Sequence, residues 1–203
     1  MIARNQAKPK RAQPQAAAPG LPDDAAADGG LDRRWHLARD SHEVAVTELE
    51  YSLFRAFEAF SRWQSECLAA VSGKNLSGND TAILHVIRMK DRPKSIVEIG
   101  RLLNRDDIAN IQYSIRKLSQ AGLIAKAGAR GRRKGVRYQV TAEGVAVTQE
   151  YAMLRASLLM GLTKGVANME GELNHGRRVL DLMTGIYEQA ARVAVTHRAP
   201  FDD

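Results

Sequence analysis

The stretch SIVEIGRLLNRDDIANIQYSIRKLSQAGLIAKAGARGRRKGVRYQV, residues 95–140, decides the fold of this chain of 203 residues. It opens at Ser95 with a Ser-x-x-Glu pattern, which is typical of a capped helix start. The apolar residues that follow lie at helical spacing on one face, and they are Ile96, Ile99, Leu102 and Leu103. The pattern predicts a short amphipathic helix from Ser95 to Asn104.

A second helix is predicted over residues 106–121. Asp106 and Asp107 suit the positive N-terminus of a helix, and Gly122 suits its C-terminal stop. The stripe expected to be buried consists of Ile108, Ile111, Ile115 and Leu118. The opposite face carries Asp106, Ala109, Asn110, Tyr113, Arg116, Lys117 and Gln120. These groups can reach base edges and phosphates, although a helix face that only meets solvent has the same polar character.

A basic hairpin follows the second helix. Residues 123–127 and 136–140 are short segments suited to strands, and GARGRRKG lies between them at residues 128–135. The tip of this hairpin carries four cations, Arg130, Arg132, Arg133 and Lys134. Such a tip repels itself unless an anion lies against it, so it favours contact with phosphates or a minor groove. A solvated loop is the alternative.

The positive charge of the chain is concentrated in the same region. Residues 74–142 hold 15 Lys and Arg against 5 Asp and Glu, a net charge of +10, whereas the whole chain has a net charge of +7. A localised basic module is the electrostatic footprint of nucleic-acid binding. Helix, turn, helix and basic hairpin together predict a winged helix-turn-helix, which lays its second helix into a DNA major groove.

At this point the chain resembles the MarR family of winged-helix transcription regulators. The resemblance is carried by LSGNDTAIL at residues 76–84, PKSIVEIGRLL at 93–103, residues 111–118, AGLI at 121–124 and VTAEG at 140–144, within a match over about residues 31–195. The chain departs from the family in two places. The turn at residues 104–107 is one residue longer than usual, and the common acidic-basic wing motif is replaced by RGRRK at residues 130–134.

The winged-helix layout assigns roles to particular side chains. The residues expected to face the major groove are Ala109, Asn110, Gln112, Tyr113 and Arg116. Lys94, Ser95, Arg105 and Lys117 are expected to hold phosphates, together with the cations of the hairpin tip.

The fold class is therefore mainly α with a small β wing, in four segments. Residues 1–30 are poor in apolar side chains and are predicted to be a disordered tail. Residues 31–73 and 143–203 carry long helical patterns, the latter with starts at Thr141 and Asn168, on either side of the winged domain at residues 74–142. The resemblance implies that these helices build a homodimer. A monomer that folds them back onto its own core is the alternative.

The resemblance also implies a small-molecule effector between the first long helix and the winged domain. The residues expected to line that site are Trp35, Arg39, Tyr51, Phe54, Arg55 and Thr81. An aromatic stripe at helical spacing is, however, more often core than pocket.

Other classes of function find little support in the sequence. Cys67 is the single cysteine, and its neighbours lack the cations that would activate a thiol, so a packed apolar thiol is favoured over a redox sensor. The five histidines, including His36, His42 and a half-buried His85, show no metal-ligand spacing, and no catalytic motif is present. We expect no enzyme activity, no cofactor, no metal and no membrane span.

The sequence thus predicts a homodimeric, sequence-specific regulator of transcription that binds double-stranded DNA and acts in the cytoplasm at the nucleoid, as the resemblance to bacterial regulators implies. Its operator would be a pseudo-palindrome read by the helix at residues 106–121. Two alternatives remain open: a nucleoid-type architectural protein with little sequence preference, and a protein-interaction module whose basic wing meets an acidic partner.

Overall fold

The computed structural model describes residues 36–128 and 135–197, which are mostly helical. The helices are α1 (Ser41–Ser72), α2 (Gly78–Arg88), α3 (Ile96–Leu102), α4 (Ile108–Gln120), α5 (Ala142–Arg155), α6 (Gly161–Lys164) and α7 (Met169–Val195). The strands are β1 (Lys94–Ser95), β2 (Ile124–Lys126) and β3 (Arg137–Val140). A 3-10 turn, Met89–Asp91, follows α2, and a π-helical turn, Ala156–Met160, joins α5 to α6. The expected fold class, mainly α with a small β wing, is confirmed.

The chain divides into two compact units, Met1–Ala59 and Phe60–Asp203, with the boundary inside α1. The four-segment division expected from the sequence places its boundaries elsewhere and stays a prediction. The expected tail at residues 1–30 lies outside the described residues.

The three strands form an antiparallel sheet in the order β1-β3-β2. Ser95 pairs with Arg137 on one side of β3, and Ala125 pairs with Gln139 on the other. The central strand β3 therefore joins the short strand before α3 to the hairpin that follows α4. This pairing ties the wing to the helix-turn-helix.

Helix starts are fixed by side-chain caps. The Ser77 hydroxyl accepts a hydrogen bond from the Asp80 amide at 3.2 Å, and the Asp80 carboxylate accepts from the Ser77 amide at 3.0 Å, so α2 opens with a reciprocal capping box. Ser95 caps α3 as expected, because its hydroxyl accepts from the Glu98 amide at 3.2 Å. Thr141 caps α5 in the same way through the Gly144 amide at 3.0 Å.

One apolar core lies within the second unit. Its buried members are Cys67, Leu68, Leu76, Ile83, Leu84, Val86, Ile87, Ile99, Ile111, Ile115, Leu118, Leu123, Ile124, Val147 and Tyr151. Three of the four residues in the expected α4 stripe are among them. Ile108 and Leu102, which were expected on buried faces, are instead exposed.

Helix α4 begins two residues later than expected, at Ile108, and Asp107 occupies its N-cap position. Ile108 therefore lies in the first turn of the helix, which explains its exposure. The C-terminal stop is confirmed at Gly122, whose φ is +77°. A Cβ at this position would lie 2.9 Å from the carboxylate of Glu143, a flexible side chain that can move aside, so the backbone conformation is what favours glycine.

The terminal helices also differ from expectation at their ends. Helix α1 begins at Ser41, ten residues after the predicted start, and α5 ends at Arg155 before the π-helical turn. Asn168 does precede α7, but its φ is +56° and its side chain makes no capping hydrogen bond. None of the 27 residues of α7 is buried.

Candidate nucleic-acid interface

The exposed face of α4 consists of Ala109, Asn110, Gln112, Tyr113 and Arg116, which are all exposed. It lies opposite the buried residues of this helix because the apolar stripe recurs every three or four residues. The guanidinium carbon of Arg116 lies 5.9 Å from the centre of the Tyr113 ring, and the Lys117 ammonium lies 5.8 Å from it. The face therefore combines two amides, an aromatic ring and a cation.

The start of α4 is held by a network of charged and amide groups. Arg105 donates to both carboxylate oxygens of Asp107, at 2.8 Å and 2.5 Å, and also donates to the side-chain amide oxygen of Asn79. The Asp107 carboxylate in turn accepts from the Asn110 amide at 3.1 Å. These hydrogen bonds from Arg105 and Asn110 lower the pKa of Asp107 to about 2. Asn110 keeps its carbonyl and one amide hydrogen for another partner.

Lys117 is paired inside the protein. Its ammonium lies 2.5 Å from a carboxylate oxygen of Asp80, which is only 1% exposed. Arg105 and Lys117, both expected to hold phosphates, are thus half-buried and engaged with acidic partners.

Lys94 is the clearest correction to the expected phosphate contacts. It is 1% exposed, and its ammonium donates to the carbonyl oxygens of Ile87 and Arg92, each at 3.2 Å, and to that of Met89. Burial lowers the pKa of this ammonium. Lys94 therefore caps the C-terminal end of α2 across the left-handed turn at Lys90, and it is not available to DNA.

Ser95 is half-buried, and its hydroxyl oxygen accepts the capping hydrogen bond of α3. The hydroxyl hydrogen remains able to donate to a phosphate. The four cations expected at the hairpin tip, Arg130, Arg132, Arg133 and Lys134, lie outside the described residues.

Glu98, the acidic residue of the Ser-x-x-Glu pattern, has side-chain partners that the sequence did not predict. It pairs with Arg92, and its other oxygen lies 3.7 Å from Arg137, which also donates to the Pro93 carbonyl at 2.9 Å. These arginines lower the pKa of the Glu98 carboxyl, with the hydrogen bond from Arg92 as the largest cause. Glu98 thus joins α3 to strand β3 at the base of the wing. Spacing alone could not find these ion pairs, because Arg92 precedes the helix and Arg137 follows it by more than 30 residues.

An open cleft of about 570 Å³ lies in the second unit, between the C-terminal part of α1, α2 and α5. Its lining residues are Phe60, Trp63, Gln64, His85, Arg88, Thr148, Gln149, Tyr151, Ala152 and Arg155. His85 packs edge-on against Tyr151, with ring centroids 4.5 Å apart, and its Nε2 atom is buried without a hydrogen-bond partner among the described residues. Burial and the positive charge of Arg155 lower the pKa of His85.

The cleft differs from the effector site expected from the sequence. Thr81 is fully buried, with its hydroxyl donating to the Ser77 carbonyl at 3.0 Å, so it lines no open site. Arg39, Tyr51, Phe54 and Arg55 belong to the first unit and are not among the lining residues, and Arg55 lies 5.7 Å from the Tyr51 ring centre. Trp35 lies outside the described residues. Sequence reasoning missed the lining residues because they come from three segments far apart in the chain.

Cys67 lies in the core, and burial raises the pKa of its thiol. A raised thiol pKa disfavours the reactive thiolate, so the packed thiol is the reading that the structure supports. Among the described residues, no three His, Cys, Asp or Glu side chains are grouped closely enough to hold a metal ion. None of the described helices combines the length and apolar character needed to cross a membrane.

Comparison with known proteins agrees with this geometry. Residues 76–144 match the family model of the winged helix DNA-binding domain. No curated protein matches the sequence. The chain therefore contains a winged helix domain, which is the class of module that the helix-turn-helix and sheet define.

Solved structures extend the likeness to the flanking helices. The chain is similar to Staphylococcus aureus MarR in complex with salicylate and kanamycin, with a TM-score of 0.58 and 14% identity over 73% of this chain and 95% of that one. It is similar to a cysteine-to-serine mutant of Escherichia coli MarR in complex with operator DNA, with a TM-score of 0.55 and 18% identity over 67% and 95% of the two chains. It is also similar to Streptococcus pneumoniae FabT in complex with DNA, with a TM-score of 0.54 and 14% identity over 71% of this chain and 99% of that one.

These likenesses confirm the resemblance inferred from the sequence at the level of the fold. The chain has the fold of MarR-family winged-helix regulators.

Proposed function

We propose that the chain is a homodimeric regulator of transcription that binds DNA by sequence. The observation that carries this proposal is the exposed face of α4, which presents Asn110, Gln112, Tyr113 and Arg116 from a helix whose other side is locked into the core. An Asn or Gln amide can donate to and accept from an adenine edge together, and Arg can pair with guanine. The MarR and FabT structures that contain DNA support the same reading by their shared fold.

The phosphate contacts in this proposal come mainly from the wing and the start of α3. The wing tip supplies Arg130, Arg132, Arg133 and Lys134, and Ser95 supplies a hydroxyl. Arg105 and Lys117 act chiefly by holding α4, since their charges are already paired. Lys94 does not contribute a phosphate contact in this proposal because it is buried.

The proposed dimer would cover the apolar side chains that the terminal helices leave exposed. Helix α7 exposes Leu173, Leu180 and Ile186, and α1 exposes Phe54 and Phe57. Large exposed apolar groups on long helices are characteristic of an interface, and a twofold dimer is the commonest way to bury them. A dimer would also present two α4 helices to the two halves of a pseudo-palindrome.

The cleft of the second unit is the proposed effector site. Phe60, Trp63 and Tyr151 supply apolar and aromatic surface, while Arg88 and Arg155 supply positive charge. Such a lining suits a small aromatic anion. The salicylate in the Staphylococcus aureus MarR structure is a ligand of this chemistry.

A competition mobility-shift assay tests the proposed function. Labelled genomic fragments compete with bulk DNA, and footprinting then maps the protected sequence. We expect protection of a pseudo-palindrome with half-sites about one helical turn apart. Binding without any preference among fragments would instead indicate an architectural protein, and no binding would indicate a protein-interaction module.

Substitutions on α4 test the proposed reading of bases. Asn110→Ala should lower the ratio of specific to non-specific affinity by the equivalent of about 1–3 kcal/mol, since Asp107 already orients this amide. Gln112→Ala should lower it less, and Ser119→Ala, at the exposed end of the helix and outside the face expected to meet DNA, serves as the control. An unchanged ratio for Asn110→Ala would mean that the amide does not read a base.

A further inference from the structure

The first turn of α2 contacts α4 through polar side chains at three levels. Asn79 accepts from Arg105 ahead of α4 and donates to the Ser114 hydroxyl at 3.2 Å in its middle. Asp80 accepts from Lys117 at 2.5 Å, one helical turn further on. We propose that Asn79 and Asp80 form a polar clamp that sets the position of α4 and thereby its sequence specificity, an inference that rests on the proposed function.

Asp80 is an ionised carboxylate that lies inside the protein. Its carboxylate is 1% exposed and is paired with Lys117 and with the Ser77 amide. Burial acts to raise the pKa of this carboxyl, but hydrogen bonds from Lys117, Ser114 and Ser77 outweigh burial and leave the pKa below its ordinary value. A buried ionised carboxylate must keep its partners, because losing one leaves an uncompensated charge. The distance between α2 and Lys117 is therefore closely constrained.

Asn79 extends this constraint to the start of α4. It holds Arg105, Arg105 holds Asp107, and Asp107 holds the Asn110 amide on the exposed face. Every link in this series is a hydrogen bond with a preferred direction. A rotation or shift of α4 would stretch both arms of the clamp together.

The apolar core supplies a different kind of constraint. Ile83, Ile111, Ile115 and Leu118 attach α2 and α4 to one cluster, but the hydrophobic effect is non-directional. Base readout is directional, because each bidentate contact needs a donor and an acceptor in register. The clamp thus acts as a positioning device, while the side chains of the exposed face make the contacts.

The proposal makes a conditional prediction about Lys117. While Asp80 holds its ammonium, Lys117 is not a phosphate contact, so Lys117→Gln should leave the salt dependence of DNA binding unchanged. In an Asp80→Asn background the ammonium is released toward solvent and the DNA. There, Lys117→Gln should lower the log-log salt slope by about 0.9, the value for one phosphate contact.

The experiment measures specific and non-specific affinities and salt slopes for the full chain and five variants, with melting temperatures recorded for each. Asp80→Asn should lower the ratio of specific to non-specific affinity at least about tenfold, as for the loss of one good base contact. Asn79→Ala should lower it by a smaller factor. Glu150→Gln removes one negative charge from an exposed position on α5 and should change neither the ratio nor the slope. Lys117→Gln is tested alone and with Asp80→Asn.

The outcomes separate the clamp from a purely structural role. A structural role would lower the melting temperature and the amount of active protein but leave the affinity ratio intact, which would overturn the proposal. A slope decrease of about 0.9 for Lys117→Gln alone would also overturn it, because Lys117 would then already contact DNA. If Asp80→Asn does not fold, an unchanged ratio in Asn79→Ala overturns the proposal. Wild-type protein that shows no sequence preference would refute the proposed function, and the clamp with it.

Discussion

The winged-helix core and helix α7 belong to the same unit but use apolar residues in opposite ways. In the core, Leu84, Ile99 and Leu118 are fully buried, and the helices that carry them are each only 7 to 13 residues long. Helix α7 is 27 residues long and has no buried residue, although its apolar residues recur at helical spacing. An amphipathic pattern therefore shows which face of a helix is apolar, but it does not show what packs against that face.

We propose that the apolar face of α7 packs against a second copy of the chain. Helices in proteins gain most of their stability from the packing of an apolar face. A long helix that packs against nothing in its own chain is therefore expected to need a partner. The contrast therefore has an energetic meaning: substitutions in the core should act at any protein concentration, whereas substitutions on α7 should act through dimerisation.

The largest effect is expected from Leu118→Ala in the core. Leu118 is fully buried, and a Leu→Ala change at such a site removes about 2–5 kcal/mol from the free energy of unfolding. Urea unfolding at two protein concentrations should give the same loss. Leu102→Ala is the matched control, since Leu102 is 46% exposed and should cost far less. Equal losses for both variants would contradict the described packing of α3 and α4.

The next effect concerns α7, where Leu180→Glu should weaken the proposed dimer. A carboxylate placed in an apolar interface costs roughly 3 kcal/mol, or about a hundredfold in the dimer Kd. Sedimentation equilibrium measures this shift. Leu182→Glu is the matched control, because Leu182 is 64% exposed and lies two residues away, on nearly the opposite side of the helix. A wild-type chain that is already monomeric at micromolar concentration would refute the dimer.

The same contrast explains how far the sequence predicted the molecule. The helix-turn-helix, its caps at Ser95 and Thr141 and the stop at Gly122 follow from local rules, because neighbours in sequence decide them. The predicted start of α1 was wrong, because apolar residues at helical spacing also occur in the residues before the helix begins.

The candidate site was predictable where one helix decides it. The exposed face of α4 follows from its 3.6-residue period alone. The prediction that Lys94 holds a phosphate was wrong, because a lysine is expected at the surface. Only the folded chain brings three carbonyl oxygens to its ammonium. The pairing of Lys117 with Asp80 spans 37 residues of sequence, and the cleft spans three helices. Long-range contacts of this kind leave no local pattern.

The smallest expected effect lies at the edge of the core, where the comparison between packed and open regions is sharpest. His85 faces the cleft from α2, and burial, followed by the charge of Arg155, lowers its pKa. As the pH falls below about 6.5, the unfolded chain takes up a proton at this residue more readily than the folded chain does, so the fold loses stability. His85→Gln cannot titrate and should therefore lose less stability than the wild type between pH 7.5 and pH 5.

Urea unfolding at both pH values measures this difference, and His175→Gln on the exposed surface of α7 is the control that should behave like the wild type. An aromatic anion bound in the cleft should raise the pKa of His85, because a negative charge favours the imidazolium. Salicylate titration followed by NMR of the His85 ring would show this as an upward shift of its titration midpoint. A wild-type chain that loses no more stability in acid than His85→Gln would mean that the cleft admits water freely to His85. The edge of the core at His85 would then be as accessible to water as the exposed helices are.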